Sequence, residues 1–330
     1  MSDIMTCMPF GQLMEWVLQE KSGKDTVFGV HRPYTINADH NLTIFERNLE
    51  TPVGPAAGPH TQLAQNIIAS YYAGARFFEL KTVQKMDGAE LSACVNKPCI
   101  LADDEGYNCE WSTELTVPDA MSEYIKAWFI LHVMAKEFNL GAQDGFQFNI
   151  SVGYDLEGIK GDKVNTFIDG MMEAKDTAVF QECKKWLLDN ADRFHNFTRE
   201  DIEAIPSNVC NSATISTLHG CPPQEIESIA NYLLTEKHLN TFVKCNPTLL
   251  GYDFARKTMD EMGYDYMVFG DFHFRDDLQY EDAVPMLTRL MKLSEELGLE
   301  FGVKITNTFP VDVTRNELPS EEMYMSGKSL

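Results

Sequence analysis

The sequence predicts an α/β fold in which parallel strands alternate with helices, arranged as a barrel or as an open doubly wound sheet. Short apolar, β-prone runs recur along the 330-residue chain, and stretches with helical periodicity separate them. Strands that alternate with helices in this way pair in parallel through right-handed crossovers. The chain is 44% hydrophobic and 23% charged, so it can bury a substantial core.

The elements follow in order along two predicted regions. Residues 1–50 are expected to cap the main domain with an amphipathic helix from about Phe10 to Gln19 and an extended or hairpin segment from Leu42 to Phe45. The predicted strands of the main domain, residues 51–330, are Thr51–Gly58, Arg76–Val83, Phe146–Tyr154, Ala213–Leu218, Thr241–Asn246, Tyr264–Gly270 and Phe301–Asn307. The predicted helices are His60–Ala73, Pro118–Phe138, Lys163–Glu173, Pro223–Lys237, Asp253–Met262 and Tyr280–Leu297.

Two insertions interrupt this alternation. Residues 84–117 show little periodicity, and residues 176–211 form a charged helical insertion that ends at Pro206. In α/β barrels, long excursions after strands usually form the walls and lids of the active site. Both insertions are therefore expected near the functional end of the barrel.

Charge and cysteine content exclude several classes of protein. Fifty acidic and 27 basic residues give a formal charge of −23, which disfavours binding to nucleic acid and to anionic membranes. The N-terminus lacks the features of a secretory signal, and no apolar run is long enough to suggest a membrane span. The eight cysteines include no C-x-x-C pair, and Cys94, Cys99 and Cys109 are interpreted as unrelated thiols of one loop. The sequence predicts a cytoplasmic protein without a metal site.

Three predicted strand-to-helix junctions combine small, proline and hydroxyl-bearing residues: GPAAGPHTQ, TLHGCPPQE and KCNPTLLG. Such residues leave room for a ligand against the backbone at the carboxyl ends of strands, where barrels bind substrates. The alternative is that the glycines and prolines only shape tight turns. No G-x-G-x-x-G motif opens a helix, so a Rossmann fold has no fingerprint here.

Lysines stand at or near the ends of predicted strands. Lys81 in FELKT and Lys244 in FVKCNP have apolar neighbours, and Lys304 in GVKIT is a third candidate of the same kind. A lysine in this position can pair with an anionic cofactor or substrate, or form a Schiff base if it is desolvated. Lys81 is therefore also a candidate catalytic residue.

Other candidate site residues follow apolar strands. His219 and Cys221 flank a glycine, and the helix predicted from Pro223 could tune the pKa of the thiol for a role as proton donor or nucleophile. A buried cysteine that packs beside a turn fits the same pattern. Amide and hydroxyl side chains at strand ends can hydrogen-bond to the edge of a planar polar ring in the mouth of a barrel. Alternatively, they can simply cap helices. The residues with such groups are Asn149, Ser151, Asn246, Thr306, Asn307 and Thr308, and the first three are the candidate substrate contacts.

Several motifs resemble, in order, the strand-end motifs of the dihydroorotate and dihydropyrimidine dehydrogenase flavin barrels: TPVGPAAG, FELKT, FVKCNPT, ITNT and MSGKSL. A closer resemblance covers nearly the whole chain. It is to the YgfK-type selenate reductase subunit family, a group of dihydropyrimidine-dehydrogenase-like iron–sulphur flavoproteins. The segments that resemble this family are TPVGPAAGPHTQLAQNI, FNISVGYDLEGIK, STLHGCPPQEIE, NTFVKCNPTLLGY and EEMYMSGKSL.

The resemblance implies an FMN-binding TIM barrel of the (β/α)8 type that works as an oxidoreductase on a planar nitrogen heterocycle or a related small molecule. A tricyclic ring needs a floor poor in side chains, and a cation near its N1/C2 carbonyl edge stabilises the reduced anion. The implied positions are Ala56, Ala57 and Gly58 against the flavin, Lys81 and Thr82 beside its ring and ribityl chain, Lys244 at its polar edge, and Thr306, Asn307, Ser326 and Gly327 at the cofactor or substrate mouth.

Two departures from the resembled proteins affect these expectations. In the pyrimidine enzymes the fourth strand ends in Asn-x-Ser-Cys-Pro, whose cysteine donates the proton, whereas here Thr217 aligns with that position and Cys221 comes four residues later. The resembled barrels also continue past the S-G motif with two strands that hold the FMN phosphate, while this chain stops at Leu330. The expectation is a barrel without its last two strands, forming the N-terminal part of a longer or split protein.

The remaining part of that protein is expected to carry the iron–sulphur clusters, a second nucleotide cofactor and the electron-transfer domains or subunits. Two other interpretations stay open. One is a Schiff-base aldolase or lyase that uses Lys81 or Lys244. The other is a non-catalytic barrel fragment that binds a partner chain.

Overall fold

The computed structural model describes residues 5–34, 42–94, 100–101, 106–109, 115–217, 219–316 and 321–327. Its helices are α1 (Phe10–Lys24), α2 (Ala64–Ala73), α3 (Gly88–Cys94), α4 (Val117–Glu137), α5 (Leu156–Lys160), α6 (Asp162–Met172), α7 (Ala178–Asp189), α8 (Arg199–Ala204), α9 (Pro223–Thr235), α10 (Tyr252–Glu261), α11 (Phe272–Asp276) and α12 (Tyr280–Leu297). Its strands are β1 (Leu42–Ile44), β2 (Arg47–Leu49), β3 (Phe77–Glu79), β4 (Ile100–Leu101), β5 (Gly106–Cys109), β6 (Gln147–Val152), β7 (Cys210–Ile215), β8 (Asn240–Cys245), β9 (Phe301–Ile305), β10 (Phe309–Asp312) and β11 (Glu322–Gly327). Within these ranges, no helix combines the length and the apolar composition that a membrane span needs.

A parallel sheet with strand order β3-β6-β7-β8-β9 forms the centre of the fold. Every neighbouring pair in it is parallel, as the alternation of strands and helices predicts. Helices α4, α6, α9 and α12 lie between successive strands of the chain and bury apolar faces. The predicted α/β class and barrel-type order are therefore confirmed.

The segment Thr51–Gly58 runs beside β3 but is not a regular strand, so its prediction as a strand is wrong in detail. The Val53 carbonyl accepts a hydrogen bond from the Arg76 amide at 2.8 Å, and the Pro55 carbonyl accepts one from the Glu79 amide at 3.2 Å. Its prolines lack the N–H donors that a complete ladder would need. The segment is thus an irregular edge of the sheet.

Gly54 is required for this close approach. A Cβ atom at Gly54 would overlap the backbone carbonyl oxygen of Phe77, and a backbone atom in a sheet cannot move aside without breaking its neighbours' hydrogen bonds. We expect Gly54→Ala to lower the free energy of unfolding by about 2 kcal/mol, as overpacking typically does. Urea unfolding would measure the loss. Gly23→Ala is the matched control, because nothing lies within 4 Å of its added Cβ; equal stability of both variants would contradict the role of Gly54.

The predicted strand Tyr264–Gly270 is also wrong. Residues 264–270 form turns and coil in the long connection between β8 and β9, and the Val268 carbonyl accepts from the Asp312 amide at 2.8 Å. Met267 and Phe269 are nevertheless buried, in a small apolar cluster of their own with Phe274 and Phe309. The apolar run is explained by this side cluster, which a pattern of hydrophobicity cannot distinguish from a strand.

A hairpin of β1 and β2 closes the amino-terminal end of the sheet. The Gln147 side chain donates to the Ile44 and Arg47 carbonyls at 2.9 and 2.8 Å, and the Asn211 side chain donates to the Phe45 carbonyl at 2.8 Å. Phe45 is fully buried, with its ring centroid 4.7 Å from that of Phe242. The hairpin therefore leaves the carboxyl ends of the strands as the end where a ligand can enter.

The two insertions lie in different places. Residues of 84–117 supply β4 and β5 to a four-stranded antiparallel sheet of order β10-β11-β5-β4. The 176–211 insertion, which contains α7 and α8, precedes β7, and the carbonyls of Asn208 and Val209 near its end face Arg47 of the hairpin. The expectation that this second insertion borders the functional end is therefore wrong, because it leads into a strand instead of following one.

Candidate functional site

Side chains on the inner face of the sheet can be assigned from the pairing of β8 and β9. Phe242 pairs with Gly302, and a Cβ at Gly302 would lie 2.6 Å from the Phe242 ring, so the two residues share a face. Side chains two residues further along a strand lie on the same face. Lys244 and Lys304, which also pair with each other, therefore point inward together.

Glu79 connects the two outer strands of the parallel sheet. Its Oε2 atom forms an ion pair with Lys304 Nζ and accepts a hydrogen bond from the Ala57 amide at 3.1 Å. Because β3 and β9 are the first and last strands of the sheet, this pair shows that the sheet curls on itself as a barrel does. Glu79 is 5% exposed, and its Oε1 atom has no hydrogen-bond partner among the described residues.

Buried polar side chains continue from Glu79 across the neighbouring strands. Asn149 pairs with Glu79 in register, and its Nδ2 atom donates to Thr214 Oγ1 at 2.7 Å. The Asn149 Oδ1 atom is buried and lacks a partner in the described part of the chain. Thr82 Oγ1 lies 2.7 Å from Ser151 Oγ. The structure thus brings together three residues singled out in the sequence, Asn149, Ser151 and Thr82.

The three residues predicted to form the floor under the flavin differ in their solvent exposure. Ala56 is exposed, Ala57 is half-buried and Gly58 is buried. The imidazole of His60 lies against Gly58, with Nδ1 2.7 Å from the position of an added Cβ. Burial lowers the pKa of His60; the charges of Lys81 and Lys304 lower it further, against a hydrogen bond with the Ala56 backbone that raises it.

A second polar group lies after β7 and β8. His219 Nδ1 is 2.7 Å from Asp277 Oδ2. Asp277 also accepts hydrogen bonds from the Gly220 amide at 2.7 Å and from Thr248 Oγ1 at 2.6 Å. Burial raises the pKa of Asp277, but the hydrogen bonds and the charge of His219 outweigh it, so the pKa lies below its usual value. Asp277 is therefore ionised at neutral pH.

The ends of β8 and β9 join the same group. Asn246 Nδ2 is 3.4 Å from His219 Nδ1, and Asn307 Nδ2 donates to Asn246 Oδ1 at 2.9 Å. Thr306 Oγ1 donates to the Cys245 carbonyl at 2.7 Å, while the Thr308 amide donates to Asn307 Oδ1 at 2.8 Å. His219, Asn246 and Asn307 thus form one connected row along three strand ends.

Cys221 is in an unfavourable environment for a thiolate. Burial raises the pKa of its thiol to about 11, and the carboxylates of Glu225, Asp155 and Asp277 contribute in the same direction, against a hydrogen bond with Thr217. The start of α9 does not reverse this effect. At neutral pH Cys221 is a protonated thiol, which fits a proton donor and does not fit a nucleophile.

Alkylation should detect this difference. The thiolate fraction of Cys221 near neutral pH is expected to be about a hundredfold below that of an unperturbed thiol, because each pKa unit changes it tenfold. Iodoacetamide labelling followed by peptide mass spectrometry should show correspondingly slow modification of Cys221 in the folded chain. The urea-unfolded chain is the control and should react at the ordinary rate; equal rates in both states would contradict the raised pKa.

The other predicted residues occupy less defined positions. Lys81 is buried and Lys244 is half-buried, and the Lys81 carbonyl accepts from the Tyr124 hydroxyl at 3.1 Å. The backbones of Ser326 and Gly327 lie in β11, paired with residues 107 and 106 of β5, and their side chains fall outside the described part. The side chains of Cys94, Cys99 and Cys109 also fall outside it, so their interpretation as unrelated thiols stays a prediction.

Two cavities lie away from these residues. One of about 590 Å³ is beside the hairpin and is lined by Trp128, His132 and Phe146, and one of about 700 Å³ follows the edge segment from Thr51 to Pro55. Neither includes the carboxyl-end side chains. The candidate site is therefore defined by the chemistry of its side chains, Glu79 with Lys304 and His60 beside Gly58.

Sequence patterns missed Glu79, His60 and Asp277. Glu79 could have been found from the sequence, because it is an acidic residue within an apolar predicted strand. A buried carboxylate in such a strand usually has a charged or hydrogen-bonding partner, which marks it as a candidate site residue. Asp277 carries no local signal, since its partner His219 is 58 residues away. His60 was missed because the sequence around it predicts only the start of a helix.

Comparison with known proteins identifies the family. Residues 28–330 match the family model described as Oxidoreductase YgfK, N-terminal TIM-barrel domain. Over its whole length the chain is 45% identical to curated relatives in two Escherichia coli strains, which carry the name of an oxidoreductase, YgfK. The chain spans 33% of the length of these relatives.

Similar solved structures include two of DHODH from Eimeria tenella, both 12% identical in sequence. The ligand-free structure has a TM-score of 0.40 and is covered over 83% of its chain; the complex with ferulenol has a TM-score of 0.41 and is covered over 79%. Each comparison covers 90% of the present chain. On the match of its residues 28–330, the chain belongs to the family of YgfK oxidoreductase N-terminal TIM-barrel domains.

Proposed function

We propose that this domain is the flavin-binding barrel of an FMN-dependent oxidoreductase that acts on a planar nitrogen heterocycle or a related small molecule. Membership of an oxidoreductase family supports the reaction class. The observation that carries the flavin assignment is the inner face of the sheet. There, Lys244 and Lys304 point inward beside buried Glu79, whose Oε1 has no donor among the described residues. The net charge of the chain is −23, so these two cations stand out against an acidic background.

The residues present fit a flavin ring. A buried acceptor without a donor costs about 1–3 kcal/mol, and an imide N–H of the ring would satisfy either Glu79 Oε1 or Asn149 Oδ1. An ammonium group near the N1/C2 carbonyl edge would favour the reduced anion, a role open to Lys81 or Lys244. The backbone of Ala56, Ala57 and Gly58 would form the floor, with Thr82 beside the ring. When bound, FMN would supply hydride chemistry to the site.

The polar row along the strand ends would bind the substrate. Asn246 and Asn307 are held in place by each other and by the end of β8, so the second N–H of each side-chain amide could be offered to one edge of a planar ring. Asn149 and Ser151 lie deeper, on the inner face of β6. An edge with both donors and acceptors, such as that of a cyclic amide or amidine, matches this set. Thr306, Ser326 and Gly327 are proposed to border the same mouth.

His219 is the group best placed to move a proton. Asp277 is ionised and its Oδ2 atom lies 2.7 Å from His219 Nδ1, so the carboxylate favours a proton on that nitrogen. The Nε2 atom is then the one that exchanges a proton with the substrate, as in other carboxylate–histidine pairs. Cys221, protonated at neutral pH, is a second candidate donor.

Electrons would reach this domain from other parts of the protein. The curated relatives are about three times as long as the chain, which leaves room for electron-transfer domains. We assign iron–sulphur clusters and a second nucleotide cofactor to that remaining part or to partner subunits. A cytoplasmic location, a small-molecule substrate and no binding to nucleic acid or membranes complete the proposal, in line with the strong negative charge.

Flavin binding tests the proposal directly. The purified chain, alone and as part of the full-length protein, would be titrated with FMN, and binding would be followed by quenching of flavin fluorescence. We expect saturable binding that is weakened in Lys304→Met and unchanged in Lys185→Met, which removes an exposed lysine of α7. Absence of binding to the full-length protein at excess FMN would refute the proposal, and borohydride trapping of a carbonyl compound on Lys81 would indicate Schiff-base chemistry instead.

A further inference from the structure

The ring of His60 occupies the face of Gly58 on which the proposed flavin floor depends. A Cβ at Gly58 would overlap His60 Cε1 and would lie 2.7 Å from Nδ1 and 3.4 Å from Nε2. The imidazole is therefore in contact with the α-carbon of this glycine. Two planar groups cannot fill one face, so a flavin resting on Gly58 and His60 in its present position exclude each other.

The backbone around His60 is held by its own hydrogen bonds. The Thr61 amide donates to the Gly58 carbonyl at 2.8 Å, the Gly58 amide donates to Thr61 Oγ1 at 3.2 Å, and the Gln62 amide donates to the Pro59 carbonyl at 3.3 Å. Pro59 further restricts the turn. The side chain of His60, with two rotatable bonds, is the part of this turn that can move without breaking these contacts.

The surroundings of His60 favour a neutral ring. Burial lowers its pKa most, the positive charges of Lys81 and Lys304 lower it further, and a hydrogen bond with the Ala56 backbone acts in the opposite direction. The half-buried position of His60 leaves a path towards solvent.

We propose that His60 is a side-chain gate on the ring floor, which a flavin must displace from Gly58 before it can bind. The inference rests on the proposed flavin site and adds a step to it. Rotation gives up the contact with Gly58 and the hydrogen bond with Ala56, and this loss slows association and weakens affinity. His60 thus selects for ligands whose rings bind the floor more strongly than its own imidazole does.

Stopped-flow quenching of FMN fluorescence by the full-length protein tests this step. His60→Ala should bind FMN about fivefold faster and more tightly than the wild type, the scale of one lost hydrogen bond. His60→Phe keeps a planar ring over Gly58 but cannot bond the Ala56 backbone, so its association should stay slow. His195→Ala, which removes an exposed imidazole elsewhere, should match the wild type. His60→Ser serves as a second small replacement, and thermal unfolding checks that each variant is folded.

The outcomes separate this inference from the proposed function. If the wild type binds FMN and the His60→Ala and His60→Ser variants bind it at the same rate or more slowly, the gate is refuted and the flavin site stands. Faster association in His60→Phe as well would show that the ring is not the obstacle. If the wild type binds no FMN, the flavin site is refuted and the gate with it.

Discussion

Replacing Glu79 with glutamine is expected to lower the free energy of unfolding by about 3 kcal/mol, the scale of breaking a buried ion pair. Glu79 is 5% exposed and is paired with Lys304, whose side chain is 22% exposed. Glutamine has the same shape and can still accept from the Ala57 amide. The loss would therefore come from leaving the ammonium group of Lys304 without its carboxylate in a poorly solvated interior.

Guanidinium unfolding would measure this change, with two comparisons. Lys185→Met breaks a pair in which both side chains are more than half exposed, and such pairs contribute only about 0–1 kcal/mol. The double variant Glu79→Gln, Lys304→Met removes both charges and should recover most of the stability. A Glu79→Gln variant as stable as Lys185→Met would show that the pair does not hold the sheet together.

Replacing Ala57 with leucine is expected to abolish flavin binding while the protein stays folded. The Ala57 amide is fixed by Glu79 at 3.1 Å, so the backbone cannot shift to make room for a larger side chain. A leucine would stand on the proposed floor and keep a planar ring away from it. Because Ala57 is half-buried and not part of the core, the fold itself should tolerate the change.

FMN titration and thermal unfolding of the same samples would separate the two effects. Ala73→Leu, at an exposed position of α2, provides the same substitution away from the floor and should leave FMN affinity unchanged. Unchanged affinity in Ala57→Leu would remove the segment from Ala56 to Gly58 from the site. Loss of folding in Ala57→Leu would instead assign the residue to the core.

The regular part of the fold could be predicted because apolar runs of strand length coincide with β3, β6, β7, β8 and β9. The failures have local causes. Thr51–Gly58 contains prolines that interrupt a ladder, and Tyr264–Gly270 is apolar because it packs in a side cluster with α11 and β10. Hydrophobic periodicity indicates that a segment is buried, but it does not indicate which residues the segment packs against.

The site could be predicted only where proximity follows from topology. Neighbouring parallel strands bring Thr82 to Ser151 and Asn246 to Asn307, as their positions at strand ends suggest. The partners of Glu79 and His219 could not be predicted, since Lys304 and Asp277 lie 225 and 58 residues away. Long-range pairing depends on how the sheet curls and on how a loop folds back. Neither can be inferred from a local sequence pattern.

The pairing of Lys304 with Glu79 has a consequence for how the domain responds to its ligand. The pair joins the first and last strands of the parallel sheet across 225 residues of chain. A ligand that replaced either partner of this pair would compete with the closure, so its binding and the curvature of the sheet would be linked equilibria. A donor to Glu79 Oε1, by contrast, would leave the pairing of Lys304 with Oε2 intact and so would not oppose the closure.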